Sequence, residues 1–283
     1  MSENVITSYK GFDKNMQCRG FQYEVGKEYE MDGEIKCCNR GFHACKSPLE
    51  VWDYYDMLNS RFAEVEQSGK IDEEEKSTKV CSSHIKIKAE LKLADIINIG
   101  VEWLKDVTSP SKVKTDGALN DNGDRKKQIG SSGDSAQIGS SGCSDQIGSS
   151  GGYAKIGSSG DYAQIGSSGG YAKIGSSGDS AQIGSSGDSA QIGSSGCSAQ
   201  IGSSGDSAQI DSTGEDSVIM CAGNSSIAKA KVGSWITLAE WEWSDEKKRN
   251  VPVYVKTEYV DGENIKADTW YQLKNGKFVE VNE

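Results

Sequence analysis

No stretch of this 283-residue chain is long and apolar enough to span a bilayer. Its start, MSENVITSYKGF, has neither the basic n-region nor the apolar h-region of a secretory leader. Histidine is scarce, with only His43 and His84 present. There is no Cys-x-x-Cys pair, no glycine-rich phosphate loop, no Ser/His/Asp set and no metalloprotease motif. Basic charge is also short: 31 Lys and Arg face 42 Asp and Glu, a net of −11. Phosphate backbones need basic partners, so this balance disfavours nucleic acid. The eight cysteines, with Cys37 and Cys38 adjacent and the rest scattered, do not form a disulfide framework. These absences predict a reduced, cytoplasmic chain with no membrane partner and no cofactor.

What is abundant is a repeat. From Gln128 the sequence reads QIGSSGDSA again and again, with ten isoleucines from Ile129 to Ile210 spaced nine residues apart. A short fixed period is the mark of a solenoid. In Ser180-Ala181-Gln182-Ile183 the apolar residues lie two apart, the period of a strand, which puts Ala181 and Ile183 inside and Ser180 and Gln182 outside. Gly184-Ser185-Ser186-Gly187 reads as a turn, its glycines free to take positive φ. Nine extended residues give a perimeter of about 30 Å, too small to enclose an isoleucine side chain. Eighteen give two facing strands. Gly152-Tyr153-Ala154-Lys155 returns eighteen residues later as Gly170-Tyr171-Ala172-Lys173. Two nonapeptides per coil is the expectation, with five coils making a rod about 24 Å long.

The repeat therefore predicts outward ladders of glutamine. With them come the candidate binding-surface residues Gln164, Tyr153, Tyr162, Tyr171, Lys155, Lys173, Asp161, Asp179 and Asp188. Calcium fits poorly. The aspartates directly follow the second glycine rather than lying two residues past it, and Cys143, Gly152, Gly170 and Cys197 interrupt the set. Ice binding fits poorly too, since the ladders are Ser, Gln and Tyr rather than threonine. Residues 128–216 hold nine acids against Lys155 and Lys173, so the rod is acidic, a surface for a basic partner or simply for solubility.

The flanks read as globular. Residues 1–108 form a mixed α/β domain. Within it, Ser47-Pro48 starts a helix bearing Leu49, Trp52 and Tyr55. His84 to Leu93 alternates as a half-buried strand, and a helix follows over 94–106. Asp72-Glu73-Glu74-Glu75 reads as a solvated loop. Residues 109–127 are a linker or an irregular first coil ending in the basic cluster Arg125-Lys126-Lys127. The solenoid runs over 128–233 and a β cap over 234–283, since an open solenoid end exposes strand edges and core. In the cap, Trp235 to Trp243 alternates, Val251, Val253 and Val255 make a second strand, and Lys274-Asn275-Gly276-Lys277 is a two-residue hairpin turn. The fold class is mainly β: a solenoid between an α/β domain and a β cap.

Three resemblances bear on function. The run from Cys18 to Glu30 (CRGFQYEVGKEYE), Gly41-Phe42-His43-Ala44-Cys45 with Pro48 and Tyr54-Tyr55, and Ala267–Tyr271 with Gly276–Val281 resemble an uncharacterised bacteriophage and prophage family. That family carries an N-terminal domain of unknown function ahead of short Gly/Ser/Ala repeats. The resemblance implies phage origin and brings no activity. The repeat itself is similar to the β-rolls of trimeric autotransporter heads. Gly41-Phe42-His43-Ala44 ahead of Tyr54 and Tyr55 looks like a segment of ADP-ribosyltransferases, which would make Tyr54, Tyr55 and Glu64 or Glu66 the catalytic set; Tyr9-Lys10-Gly11 lacks that family's first-strand His or Arg. Cys18, Cys37, Cys38, His43 and Cys45 lie close in sequence, but adjacent cysteines do not easily both ligate, and no metal is expected.

With no catalytic constellation and a regular surface, the chain reads as a non-enzymatic phage interaction protein in the cytoplasm of the bacterial host. It would inhibit a host protein, antiviral defence being the leading class, and self-associate as a dimer or trimer. The alternatives are an ADP-ribosyltransferase-like enzyme with a solenoid targeting arm, and a structural accessory of the virion.

Overall fold

The computed structural model describes residues 5–74, 77–107 and 128–281. The chain divides into two compact units, residues 1–108 and 109–283. The expected linker at 109–127, its basic cluster and Glu75 lie outside the described residues, except that Gln128 opens the first described strand.

The first unit is built on β1 (Ile6–Phe12), β2 (Gln17–Cys18), β3 (Phe21–Gln22), β4 (Glu28–Glu30), β5 (Phe42–Cys45), β6 (Arg61–Glu73), β7 (Lys79–Leu91) and α1 (Leu93–Val107). The sheet order is β4-β7-β5-β1-β6, and β6 also pairs with β7, so the sheet closes on itself. β7 is thirteen residues long, beginning well before His84. Asp72 and Glu73 finish β6 rather than sitting in a loop, because each pairs across to Cys81 or Val80. Strand alternation gives β1 two faces. Tyr9 joins Leu49, Trp52, Phe62 and Ile97 in one core; Phe12 joins Tyr23, Phe42, Val65 and Ile87 in the other. The helix expected after Ser47-Pro48 is only a 3₁₀ turn, Leu49–Asp53, with no side-chain cap. Leu49 and Trp52 are fully buried, as their spacing implied, but the turn ends before Tyr55.

In the second unit twelve four-residue strands, β8 (Gln128–Ser131) to β19 (Ile227–Ala230), begin every nine residues. Up to Gln209–Ser212 each pairs in parallel with the strand eighteen residues on, Ile147 on Ile165 and Ile156 on Ile174. Two nonapeptides make one coil. The strands form six coils, one more than the isoleucine count suggested, because Val218–Cys221 and Ile227–Ala230 keep the coil after the repeat decays. Ile and Ala fill the core, with Ala181 and Ile192 fully buried.

The corners differ from expectation. Gly184 and Ser185 belong to a strand, and the bend falls at Gly187-Asp188-Ser189. Positive φ falls on the second residue of the bend, a Ser, Tyr or Asp, at 55° to 62° from Ser135 through Ser225. An L-residue there costs about 1–2 kcal/mol. A bond between coils offsets it: Tyr153 N–H donates to Gly170 O at 2.9 Å and Ser189 N–H to Asp206 O at 2.7 Å. The glycine before the bend serves close approach instead, since a Cβ on Gly187 would overlap the carbonyl of Gly169 one coil below. Each corner aspartate accepts the next coil's N–H on its Oδ1: Asp179 from Cys197 at 2.7 Å, Asp188 from Asp206 at 2.9 Å. Asp179→Ala should cost about 1 kcal/mol and Asp179→Asn much less, read by urea unfolding, because Asn keeps the acceptor.

The tail extends both sheets. β20 (Trp235–Ser244) stacks in parallel on β18 (Val218–Cys221), with Trp235 beside Val218, and β21 (Arg249–Tyr259) pairs antiparallel to β20 across a bulge. β22 (Tyr271–Lys274) lies antiparallel to β19 and turns through Asn275-Gly276, both at positive φ, into β23 (Lys277–Glu280). Glu240 fixes that turn by accepting both of its N–H groups at 2.9 Å. Val260, Ile265 and Leu273 complete the core at this end, and the outer strands carry Pro252, Lys256 and Lys277, residues that discourage edge pairing.

Candidate functional site

The solenoid residues singled out above fall into separate ladders. Gln164 accepts from Gln146 at 2.9 Å and donates to Gln182 at 3.5 Å, so the amide ladder forms. Tyr153 and Tyr171 stack on one corner at 5.1 Å with planes 6° apart; Tyr162 stands on the other corner, and all three are exposed. Asp161 and Asp179 share the corner of Tyr162, while Asp188 lies on the corner of Tyr153. Their Oδ1 atoms are engaged by the next coil, so these aspartates hold coils together. Lys155 and Lys173 pair in register on β11 (Lys155–Ser158) and β13 (Lys173–Ser176). Neither is the exposed group the pattern suggested. Lys155 is buried and Lys173 half-buried.

The first unit contains a cleft of about 1360 Å³ between β1, the β2–β3 hairpin, β5 and the residues after the 3₁₀ turn. Its floor is Lys10, which alternation turns to the same side as Phe12. Lys10 is buried, donates to the carbonyl of His43 at 2.9 Å, lies 3.6 Å from Cys18 Sγ and sits 5.5 Å from the ring centres of Phe12 and Tyr23. Burial pushes its pKa down, with the Cys18 sulfur acting the other way. Aromatic rings build the wall: Phe21 packs edge-on against Tyr23 at 4.8 Å and Tyr29 at 5.3 Å. Tyr55 reaches in over Gly11, where any Cβ would overlap its ring, and its hydroxyl meets Cys18 Sγ at 2.9 Å. Burial, then that contact, raises the Tyr55 pKa. Tyr54 stands exposed at the rim with Lys79 Nζ 4.4 Å from its ring centre. His43 accepts the Cys38 N–H on Nε2 at 3.0 Å, and burial with nearby Lys10 lowers its pKa, which favours the neutral ring.

Of the four residues suggested by the transferase likeness, Tyr54 and Tyr55 line the cleft and Glu64 and Glu66 do not. Glu66 pairs with Lys88 at 2.6 Å, and Glu64 stands beside Tyr9 in the strand register. The first strand does bring a lysine to the cleft, Lys10, where the transferase likeness calls for His or Arg. The cysteines are engaged separately. Cys37 Sγ donates to Asp72 O at 3.2 Å, Cys38 lies 3.4 Å from Lys79 Nζ, and Cys45 is buried, its pKa pushed by burial up to about 12. Among the described residues no three His, Cys, Asp or Glu side chains converge as a metal set.

Comparison with known proteins adds one finding. Residues 6–99 match the family described as "Domain of unknown function (DUF7666)". No curated protein and no solved structure matches the chain. The stretches that carry the sequence resemblance, Cys18 to Glu30 and Gly41 to Cys45, supply much of the cleft. The chain thus carries a DUF7666 domain at residues 6–99, and its β-solenoid follows that domain.

Proposed function

We propose that this is a non-enzymatic interaction protein whose DUF7666 domain takes a segment of a partner protein into its cleft, with the solenoid as a rigid arm. The observation that carries this reading is the cleft itself. At about 1360 Å³ it exceeds the roughly 300–1,000 Å³ of a small-molecule site, and exposed rings, Phe21 and Tyr54, stand at its edge as anchors for a polypeptide. Its most chemically distinctive group, Lys10, is spent on a backbone carbonyl and two rings rather than left free for turnover. The sequence resemblance supports a phage-encoded protein acting on a bacterial host protein, with antiviral defence machinery the first class to search. Eight free cysteines support a reducing compartment, the host cytoplasm.

The test is a pull-down from infected host lysate with the wild-type chain and with Phe21→Ala/Tyr54→Ala, beside an NAD-consumption assay. One host protein held stoichiometrically by the wild type and at least about 30-fold more weakly by the double variant is the expected result. The transferase-like reading keeps one observation in its favour, the meeting of Tyr54, Tyr55 and Lys10 in a single cleft. NAD cleavage lost on Tyr55→Phe would establish it instead. Recovery of the chain only in purified virions would favour a structural accessory.

A further inference from the structure

One face of the solenoid carries an uncharged and partly apolar surface that nothing within the described chain uses. On the sheet that runs from β8 to β21, one outward row passes from Gln128 through Gln200 into Val218 and Trp235. The row beside it passes from Gly130 through Gly202 into Met220 and Thr237. Val218, Met220 and Trp235 are each about half exposed, and β21 prolongs the patch with Tyr259, packed on Trp235 at 5.1 Å, and Val255 at 65% exposure. No Asp, Glu, Lys or Arg stands in either row, on a chain of net charge −11. Contiguous exposed apolar surface of this kind marks a contact.

We propose that the occupant is a second copy of this chain, the two rods lying parallel and face to face about a two-fold axis that runs along the rod. Charge supplies the first reason. Two acidic copies repel except where neither presents charge, and this face is such a place. Shape supplies the second. The glutamine and glycine rows lie two residues apart, about 6.6 Å. A two-fold axis parallel to the rod and midway between them lays each copy's glutamine ridge over the other's glycine groove. The same operation places Val218 over the other copy's Met220, so the apolar ends meet as well. The fold itself does not ask for those glycines: a Cβ on Gly148, Gly166 or Gly184 would meet nothing within 4 Å, and glycine weakens a strand. Eight strands about 4.8 Å apart and about 13 Å long give roughly 500 Å² in flat projection. Side-chain relief brings this toward the about 800 Å² per partner of a standard interface. The inference does not depend on the cleft.

Sedimentation equilibrium of the full chain at micromolar concentration should give twice the 30.4 kDa of one copy. Association should strengthen with salt, as screening relieves repulsion between the acidic remainders. Gly166→Arg places a charge in open space, and Val218→Asp/Met220→Asp sets like charges against each other across the apolar end; each should weaken the dimer at least about 30-fold with circular dichroism and melting of the separated chain unchanged. A wild-type monomer, a trimer, or a dimer that survives both variants overturns the proposal. So does a dimer dissolved instead by Tyr153→Ala/Tyr171→Ala at the corner, or a monomer holding a different protein on this face.

Discussion

Replacing Gly187 with alanine should disrupt the stack around its coil, while replacing Gly184, three residues earlier, should leave the rod standing. The two glycines occupy the same repeat and look alike in sequence. In the coil they meet opposite surroundings. A methyl on Gly187 would overlap the carbonyl and N–H of the corner below, at Gly169 and Gly170, and a methyl on Gly184 would point into open space. The overlap at Gly187 is with backbone, and both coils are held by bonds such as Ser189 N–H to Asp206 O at 2.7 Å, so no flexible side chain can give way. Overpacking of a rigid core typically costs 1–3 kcal/mol, and a backbone clash belongs at or beyond the top of that range, so about 3 kcal/mol or more is expected for Gly187→Ala. Gly184→Ala should fall within about 1 kcal/mol of wild type, on the stabilising side, because alanine loses less chain entropy in a strand. Urea unfolding followed by circular dichroism reads both, and sedimentation reads any change in association separately. Equal losses at the two positions would sink the assignment of which glycine faces the neighbouring coil.

This pair of glycines also shows where the sequence was legible and where it was not. The eighteen-residue coil followed from perimeter arithmetic and from the return of Tyr153-Ala154-Lys155 as Tyr171-Ala172-Lys173, and the register of Ile156 on Ile174 bears it out. Ala and Ile inside followed from alternation. The corner did not, because Gly-Ser-Ser-Gly satisfies turn chemistry as well as the true bend does. What decides is the neighbouring coil, and a stacking contact eighteen residues away has no local signature. Ser185 reads as turn for the same reason, yet it is buried as the second inward residue of its strand, after Ile183. The role of Asp179 and Asp188 was hidden likewise, since an acceptor for an N–H one coil up looks like a surface acid. In the DUF7666 domain, α1 was legible within a residue at each end and Tyr54 and Tyr55 were singled out. Lys10 was not, because a lysine on a short strand becomes a cleft floor only when the hairpin of Cys18 and Phe21 and the strand of His43 close over it. Burial of Lys155 was equally invisible, because the alternation that turns it outward carries no information on its exposure.

Ile174→Asp should break the rod in two, with a loss that grows as the pH rises. Ile174 is fully buried, as are Ile156 and Ile192 on either side of it in the ladder. The core between the two sheets is one side chain thick, so no water or cation can reach a carboxylate placed there without opening the coil. Cavity formation alone, as in Ile→Ala, costs about 2–5 kcal/mol, and the stranded charge adds to it. Each coil touches only its neighbours, so losing one removes the contacts that hold the stack above to the stack below. Burial raises the carboxyl's pKa in the folded state above its unfolded value of about 3.9. The sign follows from proton linkage: the folded variant binds the extra proton more tightly, so the deficit is smallest below the unfolded pKa and widens as pH climbs through the folded one. Ile174→Asn, similar in size and unable to ionise, should show a deficit that does not change with pH relative to wild type. Thermal melts of the three chains at pH 4 and pH 7 make the comparison. A parallel pH response for Asp and Asn would place position 174 at the surface, and the two-sheet register described above would have to be abandoned.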